Sequence, residues 1–212
     1  MVNLFSHRKL PYAYPRGILT PVRGRYWHLT PVIIYLLSEI TEVEKPLLQK
    51  TRILKRAFTL PVPWFRSTRG GGAIVLGTRK RPLIIFTENF FLREIYGRNA
   101  RYYGNRLDVW LDMLSHEVGH VAQLDRIGAP AKYVLSFAWQ YLRTMSHNRA
   151  PLEKEAETGR KRYRSFVHHI RNKGLMKEYY TLLRADSADE AKISQIRQWI
   201  TEWKKASQTK NA

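Results

Sequence analysis

Leu111-Asp112-Met113-Leu114-Ser115-His116-Glu117-Val118-Gly119-His120-Val121-Ala122-Gln123 is the stretch from which the rest of the chain can be read. On a helix, residues four apart differ by about 40°, so His116 and His120 project from one face and their imidazoles can share one metal ion. Glu117 lies about 100° round from His116, which sets its carboxylate beside that ion as a general base for a bound water. The H-E-x-x-H spacing is short enough to arise by chance, so a third ligand elsewhere in the chain decides its meaning.

The helix around the motif has readable ends. Asn105 followed by Asp108 is a variant capping box, and Gly128 with Pro130 stops the chain after about Ile127. Two stripes run along it. Leu107, Leu111, Leu114, Val118 and Val121 form an ordinary core face, while Val109, Met113, His116, His120, Gln123 and Ile127 form a second face that is apolar but for the histidines and Gln123. The histidines are either structural core residues or ligands in a dry pocket; two of them bracketing an acid favour ligands, because an unpaired buried glutamate is costly.

After a predicted helix over 131–146, with Tyr133, Val134, Phe137, Tyr141 and Met145 facing inward, Pro151 opens another that reaches about Asn172. Glu153 and Glu157 share a face of it, and Glu155 points about 200° away from Glu153. One of the two can complete a His₂Glu site with water in the fourth position, and the other can orient a ligand imidazole from behind. Acids near a helix start also complement its dipole, at about 0.3–1 kcal/mol per charge, so Glu153 and Glu157 gain weight only beside the histidine helix.

His116-Glu117-Val-Gly-His120-Val-Ala-Gln123, a helix, and then Pro151-Leu-Glu153-x-Glu155-Ala156 resemble the gluzincin-type metallopeptidase domain of bacterial polymorphic toxins, called the core domain of extracellular contractile injection systems. The E-x-x-A-acid run of Glu153, Ala156 and Glu157 is also similar to that of gluzincins related to the CAAX-processing proteases, where the last position is Asp. The resemblance covers about residues 70–160. It implies a zincin-like fold, α+β and predominantly helical, with a small β-hairpin packed on the active helix. It further implies Zn²⁺ held by His116, His120 and Glu153, Glu117 as the catalytic base, and Glu157 and Gln123 supporting the ligands. In such folds the strand before the helix borders the substrate cleft, so Leu83 to Phe86 is expected either to pair with an extended peptide or to serve only as scaffold.

Elsewhere the pattern is plainer. Residues 1–30, rich in Pro, Arg and aromatics, are expected to run over the surface as an arm. Residues 31–174 form the zincin-like domain, and 175–212 a helical extension. Thr30-Pro31 opens a helix through Val43 that Pro46 kinks or divides, with a second segment to about Arg56. Pro61, Pro63 and Trp64 mark a loop, and Arg69-Gly-Gly-Gly72 lacks the Gly-Lys-Ser/Thr of a phosphate loop and is expected to turn the chain into a strand. Ala73 to Leu76 and Leu83 to Phe86 give the one clear β signal. A short helix is expected in 87–100. Tyr163, His168, His169 and His147 offer no reason to be singled out as oxyanion partners. The last helices run over 175–183 and from Ser187 through Trp203, with 206–212 frayed; Trp199 and Trp203, at i and i+4, pack on the domain more readily than on a partner.

The chain has 212 residues, 44% hydrophobic, and no cysteine, which excludes disulfides, thiol catalysis and Cys-based zinc sites. A net charge of +20 points to acidic partners: nucleic acid, an anionic membrane or an acidic protein surface. The longest apolar run, Val32 to Leu37, is too short to span a bilayer, and the first residues lack the apolar core of a signal peptide. A soluble protein made in the cytoplasm is expected, exported only by a specialised secretion or injection system. Two functions fit: a zinc metallopeptidase acting on a peptide or protein substrate, or a non-catalytic basic binding or assembly module with a zinc-stabilised core.

Overall fold

The protein is seen in a computed structural model that describes residues 15–22, 24–54, 72–87, 90, 105–145 and 149–209. The loop around Pro61 to Trp64, the turn at 69–71, the helix expected in 87–100, His147 and residues 1–14 lie outside the described residues, as does the side chain of Tyr141. The architecture is α+β and mostly helical, with five strands in one mixed sheet.

Ile18, Leu19, Trp27 and Leu29 are buried, and that burial overturns the expectation of a surface arm. Strands β1 (Leu19–Pro21) and β2 (Tyr26–Leu29) pair antiparallel, Leu19 opposite Leu29. Pro21 sits on the sheet's outermost strand, where a missing N–H is tolerated, so the prolines that suggest a loop are compatible with a strand.

Thr30 then caps α1 (Pro31–Thr41), its side chain accepting from the Ile33 amide at 3.4 Å, and Val32, Ile33, Leu36, Leu37 and Ile40 face the core. Glu42 ends the helix in a left-handed conformation at φ 63°. α2 (Lys45–Lys50) is shorter than the sequence suggests, because Arg52–Leu54 is strand β3 and not helix. Three residues with one buried centre, Ile53, carry too little periodicity to be recognised alone.

The expected hairpin is present as β4 (Ala73–Thr78) and β5 (Arg81–Phe86), with Ala73 opposite Phe86. The sheet order is β1-β2-β3-β5-β4, with β3 and β5 parallel. β5 is therefore an interior strand: Leu83 and Ile84 pair with Arg52 and Ile53 on one side and with Leu76 and Val75 on the other. The expectation that Leu83 to Phe86 accepts a peptide strand is overturned, because β3 occupies that edge. Among the described residues, the outermost strand on this side is β4.

Five longer helices follow: α3 (Arg106–Ile127), α4 (Pro130–Thr144), α5 (Pro151–Asn172), α6 (Met176–Arg184) and α7 (Asp189–Thr209). α7 stays helical beyond 206 instead of fraying there. Its Trp199 and Trp203 are buried, with Trp203 edge-on to Phe166 and Trp199 to Tyr179. One buried apolar cluster runs from Ile18 through the sheet, α1 and α3 to Trp203.

Candidate metal centre

Asn105 caps α3 as expected, its side chain accepting from the Leu107 amide at 2.9 Å. Asp108 does not return the bond of a capping box. It is buried, accepting from the hydroxyls of Tyr163 at 3.1 Å and of Tyr180, and burial raises its pKa. Along the next turn Trp110 packs with Phe86 and Phe90, centroids 4.6 and 4.9 Å away, locking the start of α3 onto the end of β5. Both predicted stripes of the helix face protein, so His116, Glu117, His120 and Gln123 are all buried.

The glutamates arrive by a close helix crossing. A Cβ at Gly159 would lie 2.5 Å from the Ser115 carbonyl oxygen, and one at Gly119 would lie 2.8 Å from the Ala156 Cα. No side chain fits in either place, so α3 and α5 touch backbone to backbone. Glu153, in the first turn of α5, is thereby delivered against the two imidazoles, while Glu157 lies one turn further along the same face.

The two imidazole nitrogens and the carboxylate group stand in a triangle, each nitrogen facing its own oxygen of Glu153. His116 Nε2 and His120 Nε2 are 3.2 Å apart, Glu153 Oε2 is 3.3 Å from the former, and Glu153 Oε1 is 3.2 Å from the latter. Ligands about 2.0–2.1 Å from one ion at tetrahedral angles stand about 3.3 Å from each other, so the spacing suits a small cation above the triangle. This buried group could hold a metal ion.

Hydrogen bonds behind the triangle decide which nitrogen faces it. Gln123 Nε2 donates to the Leu152 carbonyl at 2.8 Å, and because a carbonyl only accepts, the amide oxygen is the atom 2.9 Å from His120 Nδ1. His120 Nδ1 must therefore donate, which leaves a lone pair on Nε2. Glu157 Oε2 stands 3.4 Å from His116 Nδ1, a loose contact that favours the same tautomer. Arg160 holds that carboxylate at 3.1 Å, and Arg160 and Arg164 also reach the buried Asp112. The close His116 imidazole, with Arg160 and Arg164 nearby, keeps Glu157 below the usual carboxylate range despite partial burial.

Two lone pairs 3.2 Å apart repel unless a proton or a cation lies between them. Burial opposes a charged imidazole, yet hydrogen bonding to Glu153 and Glu157 outweighs it and raises His116 to about 9. Glu117 is buried one position along, its Oε2 without a hydrogen-bond partner. An acceptor in that state calls for a donor such as water.

α4 roofs the site with residues whose role the sequence does not reveal. Phe137 is edge-on to His120, centroids 6.1 Å apart, and Gln140 Oε1 accepts from the Leu152 amide at 3.0 Å, fixing the start of α5. Tyr133, one turn before Phe137 on that face, is buried. Its hydroxyl is pushed well above its ordinary value by burial and by the charges of Glu117 and Glu153. The i, i+4, i+7 spacing of Tyr133, Phe137 and Gln140 is the signal that could have marked them. By contrast Val134 and Met145, expected inside, are exposed. Their mean direction lies well round the helix from Tyr133.

Glu155 forms a two-bond pair with Arg126 at 2.7 and 2.9 Å on the surface, away from Glu153 as its position requires. Tyr163, His168 and His169 lie about 15–24 Å along α5 from Glu153, too far to serve the triangle. Comparison with known proteins finds no matching family model, curated protein or solved structure.

Proposed function

We propose that the protein is a zinc-dependent metallopeptidase of the gluzincin type, with His116, His120 and Glu153 as ligands and Glu117 as general base. The observation that carries this reading is the triangle of two imidazole nitrogens and a carboxylate with edges of 3.2–3.3 Å, flanked by a buried glutamate with an unpartnered oxygen. Nitrogen and carboxylate donors without thiolate suit zinc, and three protein ligands leave a position open. Zinc there supplies a Lewis acid for the scissile carbonyl and a water of lowered pKa.

Glu117 takes a proton from the attacking water and hands it to the amine as the C–N bond breaks. The Tyr133 hydroxyl, kept neutral by its surroundings, donates a hydrogen bond to the oxyanion that develops on the carbonyl. Gln123 and Glu157 keep both Nε2 lone pairs directed inward. An extended peptide would add to β4, the outermost strand on that side among the described residues, which touches α3 and α4.

The purified protein should carry about one zinc per chain and cleave an unfolded protein substrate such as casein. Glu117→Ala should lose at least about 10³-fold of that activity while keeping its metal and its melting temperature. A chain that binds no zinc, or a variant with undiminished cleavage, excludes the proposal. A zinc-bound chain without peptidase activity on any unfolded substrate, with salt-dependent binding to a polyanion, would favour the basic assembly module instead.

A further inference from the structure

The outer face of α4 exposes large apolar side chains. Leu135, Trp139 and Leu142, at i, i+4 and i+7, are 69, 66 and 64% exposed, and Val134 and Met145 extend the stripe along one side. Single exposed apolar residues are ordinary, but Val134, Leu135, Trp139 and Leu142 share one side of the helix, with Met145 exposed at its C-cap. None is drawn into the core cluster. The opposite face, Tyr133, Phe137 and Gln140, is spent on the candidate metal centre.

The charges around the stripe have one sign. α4 contains no Asp or Glu; its charged residues are Lys132 and Arg143, both exposed. They lie about 20–40° beyond Trp139 around the helix, along one border of the stripe. Among the described residues of the flanking helices, Asp125 is paired with Arg79 at 2.8 Å and Glu155 with Arg126. The chain as a whole carries +20.

That charge opposes a second copy of this chain as the occupant, since two strongly cationic surfaces would meet. A convex apolar helix face bordered by cations, with an indole at the boundary, is instead the form of a helix that lies in the plane of a membrane interface. Among the described residues no helix is long and apolar enough to cross a bilayer, so contact would be with its surface.

We propose that α4 docks the protein onto bilayers with anionic headgroups, Leu135, Trp139 and Leu142 entering the acyl boundary while Lys132 and Arg143 remain among the phosphates. The docking stands on the exposed face alone. If the peptidase reading also holds, the metal centre lies about one helix diameter, roughly 10 Å, beneath the lipid surface, and substrates presented at a membrane are the ones it meets.

The full chain should co-sediment with vesicles of mixed phosphatidylserine and phosphatidylcholine, and at least tenfold more weakly with phosphatidylcholine alone. Leu135→Ser/Leu142→Ser, with unchanged circular dichroism, should bind the mixed vesicles at least tenfold more weakly at the same net charge. Should that variant fail to fold, Lys132→Glu/Arg143→Glu, confined to exposed positions, gives a second route to the same loss. A Trp139→Phe variant should lose most of the blue shift in fluorescence that lipid causes in the parent. Wild-type binding by the apolar variant means that charge elsewhere does the work and overturns the proposal. So does equal binding to neutral vesicles, no binding to either, or a lipid-free dimer that the variant abolishes. Cleavage activity is not read, so failure here is separate from failure of the peptidase assignment.

Discussion

Gln123 holds two partners with one amide: its oxygen fixes the tautomer of His120, and its nitrogen ties α3 to the backbone just before Glu153. Gln123→Leu keeps the size and loses both bonds. Zinc affinity should fall about 10–100-fold, as titration against a competing chelator would show. Tyr133→Phe should leave zinc binding intact and lower kcat about 10²-fold, which a steady-state assay would show with KM little changed. His116 gives a pH signature. Its folded value of about 9 lies above the ordinary 6.5, so in the metal-free protein its contribution is full below pH 6.5 and is lost as pH rises through about 9. That contribution is on the order of 3 kcal/mol. Denaturant midpoints of chelator-treated protein should therefore fall over this window. Zinc displaces the same proton, so the loaded protein should not show that fall and its metal affinity should rise with pH.

At the scale of elements, the contact between α3 and α5 is the joint on which the centre depends. Gly159→Ala forces a methyl against the Ser115 carbonyl, so α5 must retreat and carry Glu153 and Glu157 with it. A loss of about 1–3 kcal/mol in stability and a parallel loss of zinc affinity are expected, measurable by thermal melts with and without the metal. A variant that binds zinc as tightly as the parent would show that the crossing has slack. The same elements were the most legible in the sequence. α3 has Asn105 at one end and Gly128 at the other, α5 begins at Pro151, and both are long enough for two faces to be counted. β1 and β3, with three residues each, have no period to count, and their pairing is decided by residues far away in the chain. α4 was legible as a helix but not in its orientation. Apolar residues occur all round it, and only the contacts of Phe137 and Gln140 show which of them turn toward the histidines.

For the molecule as a whole, α7 closes one side of the core. Trp199 and Trp203 meet Tyr179 and Phe166 edge-on, and Trp203 Nε1 donates to Ser165 at 3.1 Å. Trp199→Ala should cost about 3–5 kcal/mol, read as a drop in denaturant midpoint, with no change in the ligand set. The group that could hold a metal was readable because His116, His120 and Glu153 are residue types that bind metal ions. The supporting residues on α4 were not, since a tyrosine and a phenylalanine at helical spacing look like any core. The net charge of +20 fits a solvated surface as well as an acidic partner, so by itself it selects neither.

The closing of α1 against α7 also orders events in time. The bond from Arg197 to Tyr35 spans 162 positions, whereas His116 and Glu153 are joined through one intervening helix. During synthesis the centre has all its ligands once α5 has left the ribosome, before Trp199 and Trp203 exist to seal the core. An ion captured at that stage would clasp a half-built protein, so zinc supply during translation, and not only afterwards, should govern how much of the chain reaches its native state.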